Sequence, residues 1–382
     1  MPGSSFGTIF KVTTFGESHG RAVGVIVEGV PPNIEICEAE IQVDMDRRRP
    51  GQSKVSTPRK ESDKIEIVSG VFDGKTMGPP VTLMIRNNNQ EPSAYLDIKH
   101  KFRPGHADFS YFTKYGLRDW RGSGRASGRE TAARVAAGSV AKKVLQHYGV
   151  SVVGFSREIA GIKAKSVDYD IIETPENIVR TPDLSVMDEM IERIQAAQKD
   201  ENSVGGVVEV HVRNCPPGLG DPVFDKLEAK LAHGVMSIGA IKGFEVGIGF
   251  DCVGMFGHEF NDEFYMEDGR IRTKSNNSGG INGGISNGED IIIRAAVRPP
   301  ASIATEQDTV TVDKKDDTIE VHGRHDPCIT PRAVPVVEAM VAITILDSLL
   351  IQEMYKQHRP SEEEMIEFMQ KEWGGGSGNE QM

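Results

Sequence analysis

The segment 131–147, TAARVAAGSVAKKVLQH, places the strongest constraint on what this chain can fold into. Ala132, Val135, Ala136 and Val140 recur near helical spacing, which predicts an α-helix. Small residues occupy many sides of this helix. Because such a helix can be approached closely from several directions, we expect it to lie buried between two other layers of the structure.

Strand and helix patterns alternate along the rest of the chain, as is typical of a mixed α and β protein. Strands bounded by glycine or proline are predicted at 23–30, 64–72, 81–86, 205–214, 244–250, 263–273 and 290–298. The Asp221-Pro222 pair predicts a helix start, an apolar helix is predicted at 331–350, and an amphipathic one follows to about Trp373. A weak echo between 70–86 and 284–294 hints at a duplication, which would suit two related sheets flanking a helical layer.

The charge is negative overall but basic in one region. The 382 residues carry a formal net charge of −12, which disfavours wholesale nucleic-acid binding, since that requires a broad basic face. Residues 101–134 contain eight lysines and arginines against three acids, and 47–49 is a run of arginines. A local basic focus on an acidic protein fits a small anionic ligand better than a polymer. On charge alone, a solvated surface remains the alternative.

Composition predicts a soluble protein of the reducing cytoplasm. The four cysteines (Cys37, Cys215, Cys252 and Cys328) form no C-x-x-C pair, which argues against a disulfide framework and a structural zinc site. No apolar run approaches the roughly 20 residues needed to span a bilayer, so no membrane association is expected. The N-terminus lacks the charged and apolar regions of a signal peptide.

The glycine-rich segment 122–130, GSGRASGRE, leads into the predicted helix at 131–147. Ser127 and Glu130 have the spacing of a capping box, so each side chain could cap the helix start. Free N–H groups at a helix start favour anions, and Arg125, Arg129 and Arg134 add positive charge. The segment therefore predicts a phosphate or carboxylate site. An ordinary capped helix with surface arginines is the alternative.

Residues 16–20, GESHG, match the G-x-S-x-G pattern of serine hydrolases. That nucleophile elbow needs a strand before it and a helix after it, whereas here a strand-like run follows. We therefore interpret His19 as a proton donor, because an imidazole can hold or donate a proton near neutral pH.

Two other segments carry histidines. In 102–108, FRPGHAD, His106 is expected on a loop with Arg103 nearby to bind an anion, although a loop histidine without a role is the alternative. The segment 322–328, HGRHDPC, has His-x-x-His-Asp spacing but lacks a companion acid or a helix to array ligands, so no metal site is expected. Asp326 could act as an oriented carboxylate base.

Taken together, these segments closely resemble one protein family. FGESHG (15–20), DRRRPGQS (46–53), FRPGHAD (102–108), YGLRDWRGSGRASGRETAARVAAG (115–138), GGINGGISNG (279–288) and GRHDPC (323–328) are similar, in order, to the signature segments of chorismate synthases. The similarity extends from about residue 5 to 355. It implies an α+β fold, a β-α-β sandwich in which a central helical layer lies between two antiparallel sheets. We expect one such domain at 1–360 and an extension at 361–382 that is flexible from about 374.

The resemblance also implies an activity. Chorismate synthases eliminate phosphate from 5-enolpyruvylshikimate 3-phosphate (EPSP) in a trans-1,4 reaction that requires reduced FMN. The substrate carries a phosphate and two carboxylates, which explains the need for a dense arginine pocket. Family members are cytoplasmic homotetramers.

Site residues follow from the resemblance position by position. His19 resembles the histidine that protonates the leaving phosphate, His106 the one that sets the protonation of reduced flavin, and Asp326 the carboxylate that works with the flavin to remove the substrate proton. Ser18 and Ser127 match supporting serines. The positions that match substrate ligands are Arg48, Arg49, Arg103, Arg129, Arg134 and Arg324. The positions that match cofactor ligands are Arg48, Lys54, Arg125, Ala126, Ser127, Gly239, Ala240, Gly283, Arg298, Pro299, Pro300, Ala301, Ser302 and Arg324.

The chain departs from the family pattern at two of these positions. Arg298 stands where many relatives have lysine, which keeps a cation but gives it a forked geometry. Lys54 stands where many have an arginine that contacts NADPH, and Arg59 could substitute for it. The sequence leaves open whether NADPH or a separate flavin reductase supplies reduced FMN. A flavin-dependent oxidoreductase acting on a phosphorylated anionic substrate, and a non-catalytic phosphate-binding module, are the rival classes.

Overall fold

Two five-stranded antiparallel sheets enclose a layer of helices in the computed structural model, which describes residues 3–53, 55–57, 61–88, 95–321, 323, 325–356 and 358–373. The first sheet comprises β1 (Ser5–Phe6), β2 (Lys11–Gly16), β3 (Ala22–Glu28), β4 (Ile65–Ser69) and β7 (Val81–Arg86), and the second β8 (Ser151–Ile159), β9 (Ile162–Lys163), β10 (Gly206–Arg213), β11 (Ile241–Val246) and β16 (Ile291–Val297). The strand order is β1-β2-β3-β7-β4 in the first sheet and β11-β16-β10-β8-β9 in the second. This arrangement confirms the expected α+β sandwich.

Short hairpins and eight helices complete the described part of the chain. The hairpin strands are β5 (Val71–Phe72), β6 (Lys75–Thr76), β12 (Phe264–Glu267), β13 (Arg270–Thr273), β14 (Ile281–Asn282), β15 (Ile285–Ser286), β17 (Gln307–Val310) and β18 (Asp316–Ile319). The helices are α1 (Glu38–Arg48), α2 (Asp108–Tyr115), α3 (Thr131–Gln146), α4 (Met187–Lys199), α5 (Leu227–Met236), α6 (Gly257–Phe260), α7 (Thr330–Lys356) and α8 (Glu362–Trp373).

The alanine-rich helix α3 is buried between the sheets, as its sequence predicts. It packs against the first sheet through β3 and β7 and against α7, which covers the second sheet. The two helices come very close at Gly138, where a β-carbon would lie 2.3 Å from the β-carbon of Ala339. Only glycine fits there. The small residues at 131–147 therefore allow α3 and α7 to pack closely together.

Helix α7 is the longest element in the described part of the chain. By length and composition it could span a membrane, contrary to the expectation that no apolar run reaches that length, but 89% of its most apolar window is buried inside the protein. Pro335 interrupts its hydrogen-bond ladder and leaves the Pro331 carbonyl without a helical donor. Arg180 Nη1 donates to that carbonyl at 2.7 Å. The helix is thus a core element whose one break is satisfied by a side chain.

Glu338 on α7 is a buried carboxylate that joins four elements. It accepts hydrogen bonds from Arg47 of α1 at 2.6 and 2.9 Å, from Lys142 of α3 at 2.7 Å, and from the Gly154 N–H of β8 at 2.7 Å. Burial alone would raise the pKa of Glu338, but the Arg47 and Lys142 charges lower it to about 2. The carboxylate is therefore ionised and fully satisfied inside the core.

The echo in the sequence corresponds to a repeated substructure with a different alignment. A tight hairpin precedes the strand at position four of the first sheet (β5–β6 before β7) and at position two of the second (β14–β15 before β16). The equivalent glycines are Gly70 and Gly280, both with positive φ, rather than Gly70 and Gly284. In each half a helix of the core follows the repeated strand, α3 after β7 and α7 after β16.

Four predicted elements differ from the structure in detail. The strand predicted at 244–250 is β11 (Ile241–Val246), which is followed by a 3₁₀ turn at Gly249–Gly254, and the strand predicted at 64–72 divides into β4 and β5. The Asp221-Pro222 pair does not open a helix, because α5 begins only at Leu227. The strand predicted at 263–273 is a hairpin of β12 and β13, which turns at Asp268 and Gly269, both with positive φ.

The close contact at Gly138 gives a stability prediction. Gly138→Ala places a methyl group against Ala339 and forces α3 and α7 apart, so we expect the free energy of unfolding to fall by about 1–3 kcal/mol or more. Gly257→Ala in the exposed α6, where a β-carbon meets nothing within 4 Å, is the matched control. Urea denaturation of both variants measures the difference. Equal stability of the two variants would contradict the packing described here.

Candidate active site

A cavity of about 320 Å³ lies where α3 and α7 begin. Its size is in the range that holds small organic ligands. The lining comes from distant parts of the chain: Ser18, Arg48, Pro50, Thr57, Glu61, Ser127, Gly128, Arg129, Thr131, Ile238, Gly239, Pro300, Ala301, Ser302, His325, Asp326, Ile329, Arg332, Ala333 and Val336. We call this space the central cavity.

The two long core helices point their N-terminal ends at the central cavity. Thr131 is the first residue of α3, and Arg332, Ala333 and Val336 belong to the first two turns of α7. The N-terminus of a helix carries a partial positive charge and N–H groups without helical partners. The fold therefore favours a negatively charged ligand here even before side chains are considered.

Arg48 and Arg129 are held side by side by one carboxylate. Asp63 lies 2.6 Å from Arg48 Nη2 through one oxygen and pairs with Arg129 Nη1 through the other. Burial alone would raise the pKa of Asp63, but the two guanidiniums lower it to about 2. Arg129 also pairs with Glu61, and its Nε donates to Asn87 at 3.0 Å.

Asp326 is oriented by two contacts that fix both of its oxygens. The Thr57 N–H donates to Oδ1 at 3.0 Å, and Arg332 Nη1 pairs with Oδ2. Arg332 also donates from Nε to the Arg48 carbonyl at 3.1 Å. The carboxylate predicted to act as a base therefore faces the central cavity in a fixed orientation.

Ser18 and His19 lie in the loop between β2 and β3, so the G-x-S-x-G segment is followed by a strand and not by the helix of a nucleophile elbow. Both side chains are buried. The Ser18 hydroxyl donates to the Gly122 carbonyl at 3.0 Å, and Ser18 Oγ is 3.1 Å from His19 Nδ1. Since the hydroxyl has a single hydrogen, which the Gly122 carbonyl accepts, His19 Nδ1 donates to Ser18 Oγ.

His106 is linked to the central cavity through Ser302. Its Nδ1 is 3.0 Å from the Pro104 carbonyl and its Nε2 is 2.9 Å from Ser302 Oγ. Because a carbonyl can only accept, Nδ1 carries the hydrogen and the Ser302 hydroxyl donates to Nε2. Burial and the nearby Arg103 charge lower the pKa of His106 to about 4. His106 is thus a neutral imidazole with a defined tautomer at neutral pH.

Arg103 lies beside the central cavity without lining it. It forms a forked ion pair with Asp108, at 2.8 and 3.0 Å, and donates to the Ser123 hydroxyl at 2.5 Å. Its guanidinium lies 5.7 Å from the ring centroid of Tyr95, and the same ring meets His19 edge-on at 5.6 Å. Arg103 therefore contributes positive charge near both His19 and His106.

The glycine-rich segment is only partly a capping box. Ser127 Oγ accepts from the Arg129 N–H at 3.3 Å, so it caps a short 3₁₀ turn at Gly128–Glu130 that precedes α3. Glu130 does not cap back, because its side chain pairs with Arg134. The Arg134 guanidinium in turn donates to the Ser237 hydroxyl at 2.6 Å, next to the cavity-lining Ile238 and Gly239.

Several residues expected in the site do not line the central cavity. Arg49 is exposed at the end of α1, Arg125 donates to β2 at the Thr14 hydroxyl and the Gly16 carbonyl, and Gly283 forms the turn of the β14–β15 hairpin. His19, Ala126, Ala240, Arg298 and Pro299 are also absent from the lining. Ala240 and Arg298 are nevertheless joined by a backbone hydrogen bond of 3.0 Å, which brings two of the expected cofactor segments together. Lys54, Arg59, His322 and Arg324 lie outside the described residues.

Four residues of this cluster are absent from the sequence-based prediction of the site: Thr57, Glu61, Asp63 and Arg332. None of them belongs to a motif, and the first three lie between predicted elements. Arg332 leaves a signal, since it is one of only three charged residues, with Glu338 and Asp347, in the apolar run at 331–350. A buried charge in such a position usually has a counter-ion, here Asp326.

Comparison with known proteins agrees with this geometry. The chorismate synthase family model matches residues 10–350. A chorismate synthase of Rippkaea orientalis is 53% identical over 92% of this chain and 98% of its own length, and one of Trichodesmium erythraeum is 54% identical over 91% and 95%. A solved crystal structure of a chorismate synthase has a TM-score of 0.68 at 33% identity, covering 89% of this chain and 91% of that one. The chain therefore belongs to the chorismate synthase family and is an enzyme of chorismate formation.

Proposed function

We propose that the enzyme eliminates phosphate from EPSP in a trans-1,4 reaction with reduced FMN as cofactor. The observation that carries this proposal is the meeting of Arg48, Arg129 and Arg332 with Asp326 in one cavity at the N-termini of α3 and α7. A substrate with a phosphate and two carboxylates needs such a concentration of positive groups. The elimination also needs a base, which a fixed carboxylate provides.

The residues of the central cavity fit a flavin. Positions expected to contact FMN come together from four segments, at Arg48, Ser127, Gly239 and 300–302. The lining combines an apolar part (Ile238, Ile329, Ala333 and Val336) with polar side chains, as a ring system with a polar edge requires. A β-carbon on Gly239 would meet nothing within 4 Å, so space remains beside its backbone. When bound, reduced FMN supplies transient electron density for the departure of phosphate.

The side chains divide the remaining work. Arg48 and Arg129 bind the anionic groups of the substrate and neutralise the phosphate. His19 donates a proton to the departing phosphate. Asp326 accepts the proton from the substrate C–H bond on an oxygen whose orientation Arg332 fixes. His106, held neutral, accepts the hydrogen bond of the Ser302 hydroxyl at Nε2 and so orients this cavity-lining hydroxyl.

The deciding experiment is anaerobic incubation of the enzyme with EPSP and chemically reduced FMN. We expect phosphate and chorismate to appear together in equal amounts while the flavin remains reduced. Stoichiometric flavin oxidation would instead indicate an oxidoreductase, and absence of both products from folded enzyme would defeat the proposal. Replacing the chemical reductant by NADPH then separates an intrinsic flavin reductase activity from dependence on a separate flavin reductase.

A substitution at the proposed base tests its role. Asp326→Asn keeps the shape of the side chain but removes its basicity, so we expect kcat to fall by about 100- to 10,000-fold with little change in KM. Asp268→Asn, in the exposed turn between β12 and β13, is the matched control. The measurement is the initial rate of phosphate release under anaerobic conditions. Turnover by Asp326→Asn at the rate of the control would exclude this base.

The environment of His106 gives a prediction about pH. Because its pKa is lowered to about 4, His106 should stay neutral down to about pH 5 in the ligand-free enzyme. The folded protein holds His106 neutral, whereas the unfolded chain protonates it at the ordinary histidine pKa of about 6.5. The contribution of His106 to the free energy of unfolding is therefore lost as pH falls from about 6.5 toward 4. Two-dimensional ¹⁵N–¹H NMR of the labelled imidazole reports both the midpoint and the tautomer. A midpoint near 6.5, or hydrogen on Nε2, would contradict the geometry.

We further propose that residues 1–360 form one domain, that 361–382 is an extension, and that the enzyme works as a cytoplasmic homotetramer. The family match ends at residue 350, and α8 beyond it has no buried residue, which supports a separate extension. Sedimentation equilibrium of the full chain tests the tetramer.

A further inference from the structure

Arg129 is paired with two carboxylates that differ in their surroundings. Glu61 lines the central cavity, whereas Asp63 lies behind the lining with a side chain of 0% exposure. Both pairs involve the same guanidinium nitrogen, Nη1. A ligand in the cavity would thus contact Arg129 beside Glu61, but it would not reach Asp63.

Asp63 is the fixed member of this pair. Its two oxygens bind two different arginines, Arg48 and Arg129, so its loss would leave two buried guanidiniums without their common counter-ion. Its backbone φ of 43° is in the left-handed region, which aspartate and asparagine tolerate better than most residues. Asp63 therefore sets the relative position of the two guanidiniums.

Glu61 is the exchangeable member, because it borders the cavity beside the arginine with which it pairs. Glu61 and Arg129 both line the central cavity, whereas Asp63 does not. A ligand in the cavity therefore reaches the Arg129 guanidinium on the side where Glu61 lies. An anionic group that binds there competes with the Glu61 carboxylate for the same guanidinium.

We propose that Glu61 holds the anion position on Arg129 in the ligand-free enzyme, and that an anionic group of the substrate displaces it while Asp63 stays in place as a positioning residue. This inference rests on the proposed function, since it assumes an anionic substrate in the central cavity. In this exchange Glu61 keeps Arg129 paired and oriented until the ligand arrives. The free energy of substrate binding at this position is then the difference between the interaction free energies of two anions that compete for one guanidinium.

Substitution of Glu61 is expected to increase, not decrease, the affinity for the substrate. Glu61→Gln removes the competing charge, so we expect EPSP to bind about 3- to 10-fold more tightly, with KM lowered and kcat changed less. Glu66→Gln is the matched control, because Glu66 forms an exposed ion pair with Arg86 at 3.0 Å, away from the cavity. Equilibrium binding is measured by titration calorimetry on the full chain. Unchanged or weaker EPSP binding by Glu61→Gln would overturn the exchange.

Asp63→Asn should act in the opposite direction. Asparagine suits the backbone conformation at this position, but it no longer fixes both guanidiniums by charge, so we expect kcat/KM to fall by about 100-fold. Substrate affinity and turnover equal to those of the unmodified enzyme would exclude the positioning role. If Asp63→Asn does not fold, the Glu61→Gln measurement alone decides the proposal.

A second ligand separates this inference from the proposed function. Inorganic phosphate probes the same arginine without requiring EPSP chemistry, and Glu61→Gln should again bind it more tightly than Glu66→Gln does. Failure of the unmodified enzyme to convert EPSP, combined with tighter phosphate binding by Glu61→Gln, would refute the proposed function and retain the exchange. Normal conversion of EPSP with no gain in phosphate or EPSP affinity would refute the exchange alone.

Discussion

The contact between α3 and α7 at Gly138 and Ala339 is the constraint on which the site depends. The crossing lies seven residues from the start of α3 and nine from the start of α7, about 10 and 14 Å along the helices. Because the helices are locked together so near their first turns, both N-termini are brought to the same place. A larger residue at 138 would separate the helices and, with them, the two positive helix ends that form the cavity.

Helix α7 anchors this arrangement at several levels. Glu338 ties it to α1, α3 and β8, and Asp347 accepts three backbone N–H groups from residues 8–10 in the turn that follows β1. Since β1 and β2 lead into the loop of Ser18 and His19, the helix that carries Arg332 also fixes the start of the chain that carries the proposed acid. The base and the acid are distant in sequence but are held to one helix.

Sequence reasoning recovered the fold because periodic patterns are local. The buried helix at 131–147 and six of the ten strands in the two large sheets are identifiable from local patterns, whereas β1, β2, β8 and β9 are not. The family resemblance adds the order of layers. Sequence reasoning failed where the decisive partner lies far along the chain. Asp221-Pro222 has the local form of a helix start, yet α5 begins later, where the Leu227 N–H meets the Gly284 carbonyl at 2.8 Å.

The site residues predicted from the sequence also divide into those that the structure places in the cavity and those that it does not. Motif residues such as Ser18, Arg48, Ser127 and Asp326 do line one cavity. Arg125 and Arg134, which belong to the same basic segment, instead brace a strand and a loop through carbonyl and hydroxyl groups. Composition cannot distinguish an arginine that binds a ligand from one that binds the backbone, since both appear as the same local charge. The difference arises only when the fold places an acceptor within reach.

The carboxylates that were missed follow from a physical requirement of any buried anion site. A guanidinium removed from water without a partner is costly, so arginines cannot wait unpaired for a ligand in a closed cavity. The protein must supply its own anions, and each of these then either orients an arginine permanently or competes with the ligand. On Arg129, the two roles are separated by whether the carboxylate borders the cavity. Asp63 and Glu61 meet on one arginine and fall on opposite sides of that division.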